Sequence, residues 1–357
     1  MFDIAEFILP GHPDKICDRI ADLIVDAACA RDPRSLVGIE VALHRYHLLI
    51  TGCVTTSPPM TKDELIALVH KAFFDAGYGE LWSPHPSQLT IDFDIRLEEL
   101  DEDLKMLRSL SDDQAICIGY ANNDTLHNHL PFAHRIAYLA GQQIRSLRTQ
   151  YGLGPDAKVI VTTKEKTIER LSLSLHHKPE TNKSELYRLA KHVALSVGLE
   201  DIEKVFVNGG GDFDVGGPHG DNGLSGKKLV VDAYGPSIPI GGGAWSGKDP
   251  HKVDRAGALI ARYLALRAVR LGLCQHAQVT IGWHPGDRSP SLLHIQTDKG
   301  ILPVQLLTPT ELTIDAINSM LDLRNVQFAD YADGSWFQRD LFAPKSLYVQ
   351  EQANVQT

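Results

Sequence analysis

Lysines, aspartates and glycines concentrate in one stretch, residues 241–255 (GGGAWSGKDPHKVDR), directly before a long helical pattern. Adjacent glycines let the backbone approach a ligand closely. Lysine ammonium groups can bind phosphate oxygens, and a carboxylate can hold Mg²⁺. From Gly242 the letters follow the G-x-x-x-x-G-K pattern of a P-loop, but Asp249 stands where that loop needs Ser or Thr for the metal. The stretch therefore predicts a polyphosphate site of another design.

The stretch at residues 11–15 (GHPDK) puts a histidine, a carboxylate and an ammonium group at the start of a helical pattern. Backbone N–H groups at a helix N-terminus attract anions, and Lys15 strengthens that attraction. Asp14 could hold a Mg²⁺ that bridges phosphate oxygens, and His12 could donate a hydrogen bond to a leaving oxygen. The alternative is a capped helix whose charges face water.

Two further stretches place polar groups beside glycine or proline. Residues 216–228 contain five glycines in thirteen positions, which costs conformational entropy and indicates a backbone that lies close to a ligand. Asp221 could accept a hydrogen bond from a sugar hydroxyl or an amino group, while Lys227 and Lys228 could face phosphates. An irregular hairpin is the alternative. Residues 155–158 (PDAK) alone indicate only a turn before a strand.

Composition limits the class of protein. With 357 residues, 43% of them hydrophobic and 22% charged, the chain is long enough for two or three ordinary globular domains. The net charge of −10 argues against a general nucleic-acid or membrane-surface binder. The five cysteines form no C-x-x-C motif, so neither a disulfide framework nor a zinc site is indicated. We find no leader pattern and no apolar run of about 18 residues, and we expect a cytoplasmic protein.

Hydrophobic periodicity predicts the elements that position these residues. Helical patterns follow His12 and lie at 61–77, 133–151, 184–197, 253–271 and 308–321. Strand patterns lie at 36–43, 46–51, 89–95, 158–163, 171–175, 204–207, 278–283 and 292–296. Two helix starts carry a capping box, Thr61 with Glu64 and Thr308 with Glu311. The order repeats as three helix–strand–strand–helix units, each a small sheet with two helices on one face, which is an α+β arrangement.

We expect the domain boundaries to follow these units. The predicted ranges are an N-terminal domain at 1–112, a central domain at 113–228 and a C-terminal domain at 229–357. The acidic residues 98–103 are typical of a solvated loop. They belong to a candidate mobile loop at 96–112. The tail after residue 342 is predicted to be poorly structured.

Taken together, these stretches resemble the methionine adenosyltransferase (S-adenosylmethionine synthetase) family. The resemblance is carried, in the family's order, by GHPDKICDRIADLIVDA at 11–27, IGYANNDT at 118–125, PDAK at 155–158, GGPHGDNGLSGKKLVVDAYG at 216–235 and GGGAWSGKDPHKVDR at 241–255. It implies a three-domain fold with pseudo-threefold symmetry. It also implies a homodimer, or a tetramer built from dimers, whose subunits share the active sites, with no nucleic acid or membrane as partner.

The resemblance also implies a reaction. The sulfur of methionine attacks the 5′ carbon of ATP, the whole triphosphate leaves, and it is then cut to pyrophosphate and phosphate. No side-chain nucleophile is needed, because the protein has to align the sulfur and stabilise negative charge on the leaving oxygens. Lysines and metal ions can do this, as they do in phosphoryl transfer. The implied cofactors are two Mg²⁺ ions and K⁺.

The matching motifs carry roles over to individual residues. The resemblance places His12 beside the leaving oxygen, Asp14 and Asp254 as Mg²⁺ ligands, and Glu40 at a K⁺ site. The lysines implied to hold the phosphates are Lys15, Lys158, Lys227, Lys228 and Lys248. Lys252 is implied to lie close to the methionine end. The residues implied to line the nucleotide and amino-acid site are Asp113, Asp156, Phe213, Asp221 and Ala244.

The chain departs from the family pattern on the methionine side. Cys53 stands where the family has a glutamate that helps to hold the amino group of methionine, and a glutamine that the family's mobile loop supplies has no counterpart in 94–112. Asp212 replaces an arginine, and Ile240 replaces a histidine. S-adenosylmethionine synthesis is therefore our first hypothesis. Transfer of adenosyl to a different nucleophile and a non-catalytic nucleotide-binding role are the alternatives.

Overall fold

The computed structural model describes residues 2–308 and 311–339 of the chain, so the tail after residue 342 lies outside the described residues. The strands are β1 (Phe2–Ile8), β2 (Leu36–His44), β3 (His47–Thr56), β4 (Thr90–Glu99), β5 (Ala115–Asn122), β6 (Leu153–Lys164), β7 (Thr167–His177), β8 (Val205–Val207), β9 (Asn222–Leu224), β10 (His276–Trp283), β11 (Leu292–Thr297) and β12 (Gly300–Ile301). The helices are α1 (Pro13–Arg31), α2 (Lys62–Ala76), α3 (Glu102–Leu107), α4 (Phe132–Leu147), α5 (Lys183–Ser196), α6 (Leu229–Asp232), α7 (Val253–Arg270) and α8 (Ile314–Met320).

The strands form three four-stranded sheets, which confirms the predicted α+β class. Their orders are β1-β6-β7-β8, β4-β3-β2-β9 and β12-β11-β10-β5. The first two combine parallel and antiparallel pairs, while the third is antiparallel. Helices α4 and α5 pack on the first sheet, α1 on the second and α7 on the third, while α2 packs against α1 and α8 against α7. No helix within 2–308 and 311–339 is long and apolar enough to cross a membrane.

Each sheet takes strands from distant parts of the chain. Strand β1 pairs with β6, so that Phe2 lies opposite Lys164. Strand β9 extends the sheet of β2, and β5 pairs with β10. Each sheet thus combines strands from two of the ranges 1–112, 113–228 and 229–357, and these domain ranges stay a prediction.

Two of the predicted local features had different outcomes. The capping box of Thr61 and Glu64 is confirmed at the start of α2. The capping box at Thr308 is wrong, because α8 begins only at Ile314 and Thr313 caps it by accepting a hydrogen bond from the N–H of Ala316. The core decides this start: Ile314 has no exposed surface, and it packs in the cluster that joins the second and third sheets.

The candidate mobile loop at 96–112 is largely regular structure. Strand β4 continues to Glu99, and α3 follows it. Arg108 then lies buried and forms an ion pair with Asp249. Ser111 is also fixed, since its N–H donates to the carbonyl of Asp287 over 2.8 Å. The segment is thus connected to the body of the protein at its C-terminal end.

Helix α1 carries a row of four buried carboxylates, spaced four residues apart: Asp14, Asp18, Asp22 and Asp26. We call these residues the carboxylate row. Each of them accepts at least one backbone N–H from a distant segment. The N–H donors are Leu224 for Asp14 (2.9 Å), Gly226 for Asp18 (2.7 Å), Gly247 for Asp22 (3.0 Å), and Phe328 and Ala329 for Asp26 (2.8 and 2.9 Å). The helix therefore fixes both glycine-rich stretches.

The row is also bound to buried cations. Asp18 accepts a hydrogen bond from Lys15 over 2.8 Å, and Asp22 forms an ion pair with Arg255 of α7. Arg255 has no exposed surface and also donates to the carbonyl oxygen of Trp245 over 2.9 Å. Burial of a charge is costly unless it is paired and hydrogen-bonded. The pairing of Asp22 with Arg255 therefore connects α1 to α7 through the interior.

Replacing Asp22 with alanine should destabilise the protein strongly. The change leaves Arg255 buried without its carboxylate and Gly247 without an acceptor, so we expect a loss of about 3–5 kcal/mol in the free energy of unfolding. Urea denaturation at pH 7 measures it. The matched control is Asp75→Ala, which removes a partly exposed partner of Arg19 and Lys71 and should cost about 1 kcal/mol or less. Equal losses in both variants would contradict the role of the carboxylate row.

Candidate active site

His12 occupies the N-terminal cap of α1, with 1% of its surface exposed. Its Nδ1 accepts the N–H of Asp14 over 3.2 Å, and its Nε2 lies 3.6 Å from Oδ2 of Asp221. Burial, assisted by the ammonium groups of Lys158 and Lys228, lowers the pKa of His12 to about 3. The neutral ring must carry its proton on Nε2, because Nδ1 acts as an acceptor. His12 can therefore donate a hydrogen bond towards Asp221.

Three lysines gather around the carboxylates beside His12. Nζ of Lys228 lies 2.7 Å from Oδ2 of buried Asp14, and Nζ of Lys227 lies 3.7 Å from its Oδ1. Lys158, in the middle of the long strand β6, places its Nζ 3.1 Å from Oδ2 of Asp221. The lysine side chains are 20–43% exposed, so their ammonium groups can reach a ligand in solution. The structure thus brings together residues from the first helix, PDAK and the glycine-rich stretch at 216–228.

Asp156 lies beneath this group. It is buried, and its Oδ2 accepts the N–H of Gly217 over 2.9 Å. Its Oδ1 is a buried atom without a hydrogen-bond partner. Burial raises the pKa of Asp156 to about 6, although the hydrogen bond from Gly217 acts in the opposite direction. The carboxyl group therefore changes its protonation near neutral pH.

Phe213 lies just before the glycine-rich stretch at 216–228, and Ala244 lies within the stretch at 241–255. The carbonyl of Phe213 accepts the N–H of His177 over 3.0 Å, and the Phe213 ring lies 5.5 Å from the ring of His176. Ala244 lies against Gly226, where an added Cβ would come within 2.4 Å of its Cβ. The close approach of Gly226 and Ala244 brings the loops at 216–228 and 241–255 into contact.

A second lysine–carboxylate pair lies on the triple-glycine loop. Nζ of Lys248 bonds to Oδ2 of Asp254, in the first turn of α7. A Cβ on Gly243 would meet the carboxylate of Asp254 at 2.0 Å, so a side chain at this position would displace that carboxylate. Asp249 has no place in this pair: it is buried, bonds to Arg108 and accepts the N–H of Val37 over 2.8 Å. Asp249 therefore has a structural position in the interior and does not take the place of the P-loop Ser or Thr.

Lys252 lies at a third place, above strands β2 and β3. Its Nζ is 2.6 Å from Oδ2 of Asp112, and its Cε would lie 3.2 Å from a Cβ on Gly38. Gly38 is the register partner of Cys53. Glu40, opposite Thr51, is exposed on the same face of β2.

The remaining predicted site residues have different surroundings. Asp113 is exposed, and its Oδ1 accepts the N–H of Gln114 over 2.7 Å. Lys15 is not brought to the group around His12: it is 1% exposed, and its Nζ bonds to Asp18 and to Asp232 over 2.8 and 2.6 Å. Asp212, one of the departures from the family pattern, is exposed and lies 3.0 Å from Nζ of Lys183.

Sequence reasoning missed the residues that support the site. Asp18, Asp22 and Arg255 hold the glycine-rich loops, and Asp112 contacts Lys252. The recurrence of aspartate at every fourth position from Asp14 onwards was a visible signal, since it places the carboxylates on one face of a helix. The contact of Asp112 had no such signal, because its partner is 140 residues away.

The carboxylates fit a metal ion that arrives with its substrate. Within 2–308 and 311–339 there is no group of three or more His, Cys, Asp or Glu side chains that could hold a metal by itself. Mg²⁺ in proteins is usually bound through one or two carboxylates together with substrate phosphates. Asp14 and Asp254 each lie beside a lysine at the proposed phosphate region, which suits that mode of binding.

Comparison with known proteins identifies the family. The model of the S-adenosylmethionine synthetase N-terminal domain matches residues 2–92, and that of the C-terminal domain matches residues 215–346. An S-adenosylmethionine synthase from Mesoplasma florum is 31% identical, covering 96% of each chain, and one from Clostridium tetani is 32% identical, covering 90% of this chain and 87% of the other. A solved structure described as an unusual S-adenosylmethionine synthetase from Campylobacter jejuni has a TM-score of 0.87 at 25% identity and covers 99% of this chain and 98% of that one.

The fold and the lysine–carboxylate pairs on glycine-rich loops define an ATP-binding transferase of the methionine adenosyltransferase type. The chain belongs to the S-adenosylmethionine synthetase family, and the resemblance of its motifs is thereby confirmed. Membership implies ATP and methionine as substrates and the use of metal ions.

The pKa of Asp156 gives a prediction for stability against pH. Because its pKa rises from 3.8 to about 6 on folding, the folded state binds more protons between these values and loses stability as the pH rises through that range. An asparagine in place of Asp156 cannot ionise, and its amide oxygen can still accept the N–H of Gly217. We therefore expect Asp156→Asn to gain about 1–3 kcal/mol relative to the parent protein between pH 4 and pH 8. Denaturant unfolding at both pH values measures the difference, and a difference that does not change with pH would contradict it.

Proposed function

We propose that this chain synthesises S-adenosylmethionine from L-methionine and ATP. The observation that carries the proposal is the gathering of Lys158, Lys227 and Lys228 with buried His12 and Asp14. All of these except Lys158 lie in the ranges 2–92 and 215–346 that the family models match. In the proposed reaction the sulfur lone pair forms a bond to C5′ of ATP. The C5′–O bond breaks, and its electrons leave with tripolyphosphate. Water then cleaves the tripolyphosphate to pyrophosphate and phosphate.

The lysines would stabilise the departing tripolyphosphate. Their carboxylate partners in the protein without substrate are Asp14, Asp221 and Asp254. When the substrate binds, phosphate oxygens would take over the ammonium groups of these pairs. Charge-assisted hydrogen bonds in a site that excludes water are stronger than those between neutral groups. His12 adds a neutral N–H on Nε2, which can donate to the leaving oxygen without bringing a charge into the interior.

Metal ions would complete the charge balance. Asp14 and Asp254 would hold two Mg²⁺ ions, which when bound neutralise negative charge on the phosphates. Glu40 would contribute to a K⁺ site. Asp113, Asp156, Phe213, Asp221 and Ala244 would line the nucleotide and amino-acid site. Lys15 would act indirectly, because it holds Asp18 and Asp232 in the interior.

A homodimer with shared sites is part of the proposal. The hollow beside the Lys248 loop is lined by Gly241, Gly243 and Asp254 and also by Ile116, which is 62% exposed. Phe2 is 67% exposed on the outer face of another sheet. A second copy of the chain would cover such apolar side chains and close the hollow against water. A tetramer would need a further interface.

The product formed from ATP tests the function. The purified chain, incubated with ATP, L-methionine, Mg²⁺ and K⁺, should give the mass of S-adenosylmethionine, together with pyrophosphate and phosphate in equal amounts. Removal of Mg²⁺ with a chelator should stop the reaction. Formation of ADP or AMP in place of these products would overturn the proposal. Another adenosylated product would support transfer to a different nucleophile, the alternative favoured by Cys53 at the position of the family's glutamate.

Lys248→Ala should lower turnover about 100- to 1,000-fold, because it removes one preorganised charge from the leaving tripolyphosphate. The fold should remain, since this ammonium group is part of a loop and pairs with Asp254 near the surface. Initial rates at saturating substrates measure the effect, and circular dichroism checks the fold. The control is Lys204→Ala, which removes a lysine paired with Glu169 on another sheet. Activity of Lys248→Ala within about twofold of the parent would refute the phosphate assignment.

A further inference from the structure

A carboxylate lies beside Lys252 at the end of the segment that precedes β5. Oδ2 of Asp112 is 2.6 Å from Nζ of Lys252 and 3.6 Å from a terminal nitrogen of Arg108. Arg108 is 2% exposed and is held by buried Asp249. Because Arg108 lies four residues before Asp112, the anchored arginine sets the place of this carboxylate.

The pair of Lys252 and Asp112 lies over one row of the sheet. Nζ of Lys252 would be 3.6 Å from a Cβ on Gly38, so the side chain passes directly above this glycine. Gly38 pairs with Cys53 on β3, and Cys53 pairs with Arg96 on β4. The row thus presents a glycine, a thiol and a guanidinium that is 71% exposed. It offers no negative charge of its own.

We propose that Asp112, beside Lys252, binds the ammonium group of the amino-acid acceptor, an inference that rests on the proposed function. Lys252, which the resemblance of the motifs already places at the methionine end, would face the carboxylate of the acceptor. An α-amino acid carries both charges close together, so an adjacent pair of opposite charges matches it. Asp112 is then a specificity-determining residue for the acceptor.

The exposure of Lys252 and Asp112 allows a ligand to replace the ion pair between them. The side chains of Lys252 and Asp112 are 19% and 31% exposed, and ion pairs in contact with water contribute little to stability. Separating them for a ligand is therefore cheap. The ligand replaces one ion pair with two charge-assisted contacts, which are the stronger kind of hydrogen bond. Asp112 also supplies, from a different element, the negative charge that Cys53 does not have.

Asp112→Asn tests the inference through the kinetics of the acceptor. Loss of one charge-assisted contact should raise KM for L-methionine roughly 10- to 100-fold. KM for ATP should stay within about twofold, because the phosphate groups are untouched. The variant should also lose most of its preference for L-methionine over 2-hydroxy-4-(methylthio)butanoate, which has a hydroxyl in place of the ammonium group. A general loss of folding would not change this preference.

Two further variants sharpen the test. Asp103→Asn removes an exposed carboxylate from α3 in the same segment and should leave both KM values unchanged. Cys53→Glu, introduced into Asp112→Asn, should restore KM for L-methionine at least in part, because residue 53 lies beside Gly38 below Lys252.

Three results would overturn the inference. The first is a KM for L-methionine in Asp112→Asn within about twofold of the parent. The second is a rise of this KM in Asp103→Asn equal to that in Asp112→Asn. The third is a rise of this KM in Glu40→Gln but not in Asp112→Asn, which would assign the ammonium group to Glu40. Failure of the proposed function would look different: the parent protein itself would form no S-adenosylmethionine, and the inference would fall with it.

Discussion

Four carboxylates buried along one face of α1 determine where the functional loops lie. A helix rises 1.5 Å per residue, so aspartates four positions apart are about 6 Å apart along the axis. Successive members of the carboxylate row accept N–H groups from Leu224, Gly226 and Gly247, each just before or within a loop that carries lysines proposed to bind phosphate. An unpaired buried carboxylate would be strongly unfavourable. The loops therefore cannot move away from α1 without leaving a buried carboxylate without its hydrogen-bond donor.

This arrangement also separates structural ions from functional ones. Lys15 and Arg255 are buried and neutralise the row from within, whereas Lys228 and Lys248 are 20% and 27% exposed. The first pair maintains the fold when no ligand is bound. The ion pairs that Lys228 and Lys248 form with carboxylates are weaker, because water screens them. A polyanion can therefore compete for the outer lysines while the inner cations stay in place.

The sequence predicted the helices and the chemistry of the loops better than the strand partners. The apolar period and the first residue of α2 and of α7 can be recognised within about 20 consecutive residues. The local sequence is therefore enough to predict these helices. Strands β1 and β5 were missed as strands, since neither short run is distinguishable without its partners β6 and β10. The wrong helix start at Thr308 has a related cause. Thr308 and Thr313 are both good caps, and the choice was made by the burial of Ile314 and Ile317 in the core.

The same limit applies to the site. Glycines and lysines in 216–228 and 241–255 pointed to phosphate chemistry, because few other demands put those residue types together. Lys15 is a lysine like those of the loops, but its side chain is buried, where it bonds to Asp232 more than 200 residues later in the chain. The contact between Asp112 and Lys252 likewise spans 140 positions. Charges that face a ligand and charges that face each other cannot be told apart until such distant partners are known.

The pairing of Phe2 with Lys164 has a consequence for folding during synthesis on the ribosome. Translation delivers β1 first, yet its partner β6 is completed only when residue 164 has been added. Until then the opening strand is an unpaired edge directly ahead of the helix that will organise the site. Pairing between such distant segments is slow, because a long loop must close before any contact forms. Until β6 has been made, β1 therefore remains a strand without its partner, and such an unpaired edge can associate with neighbouring chains.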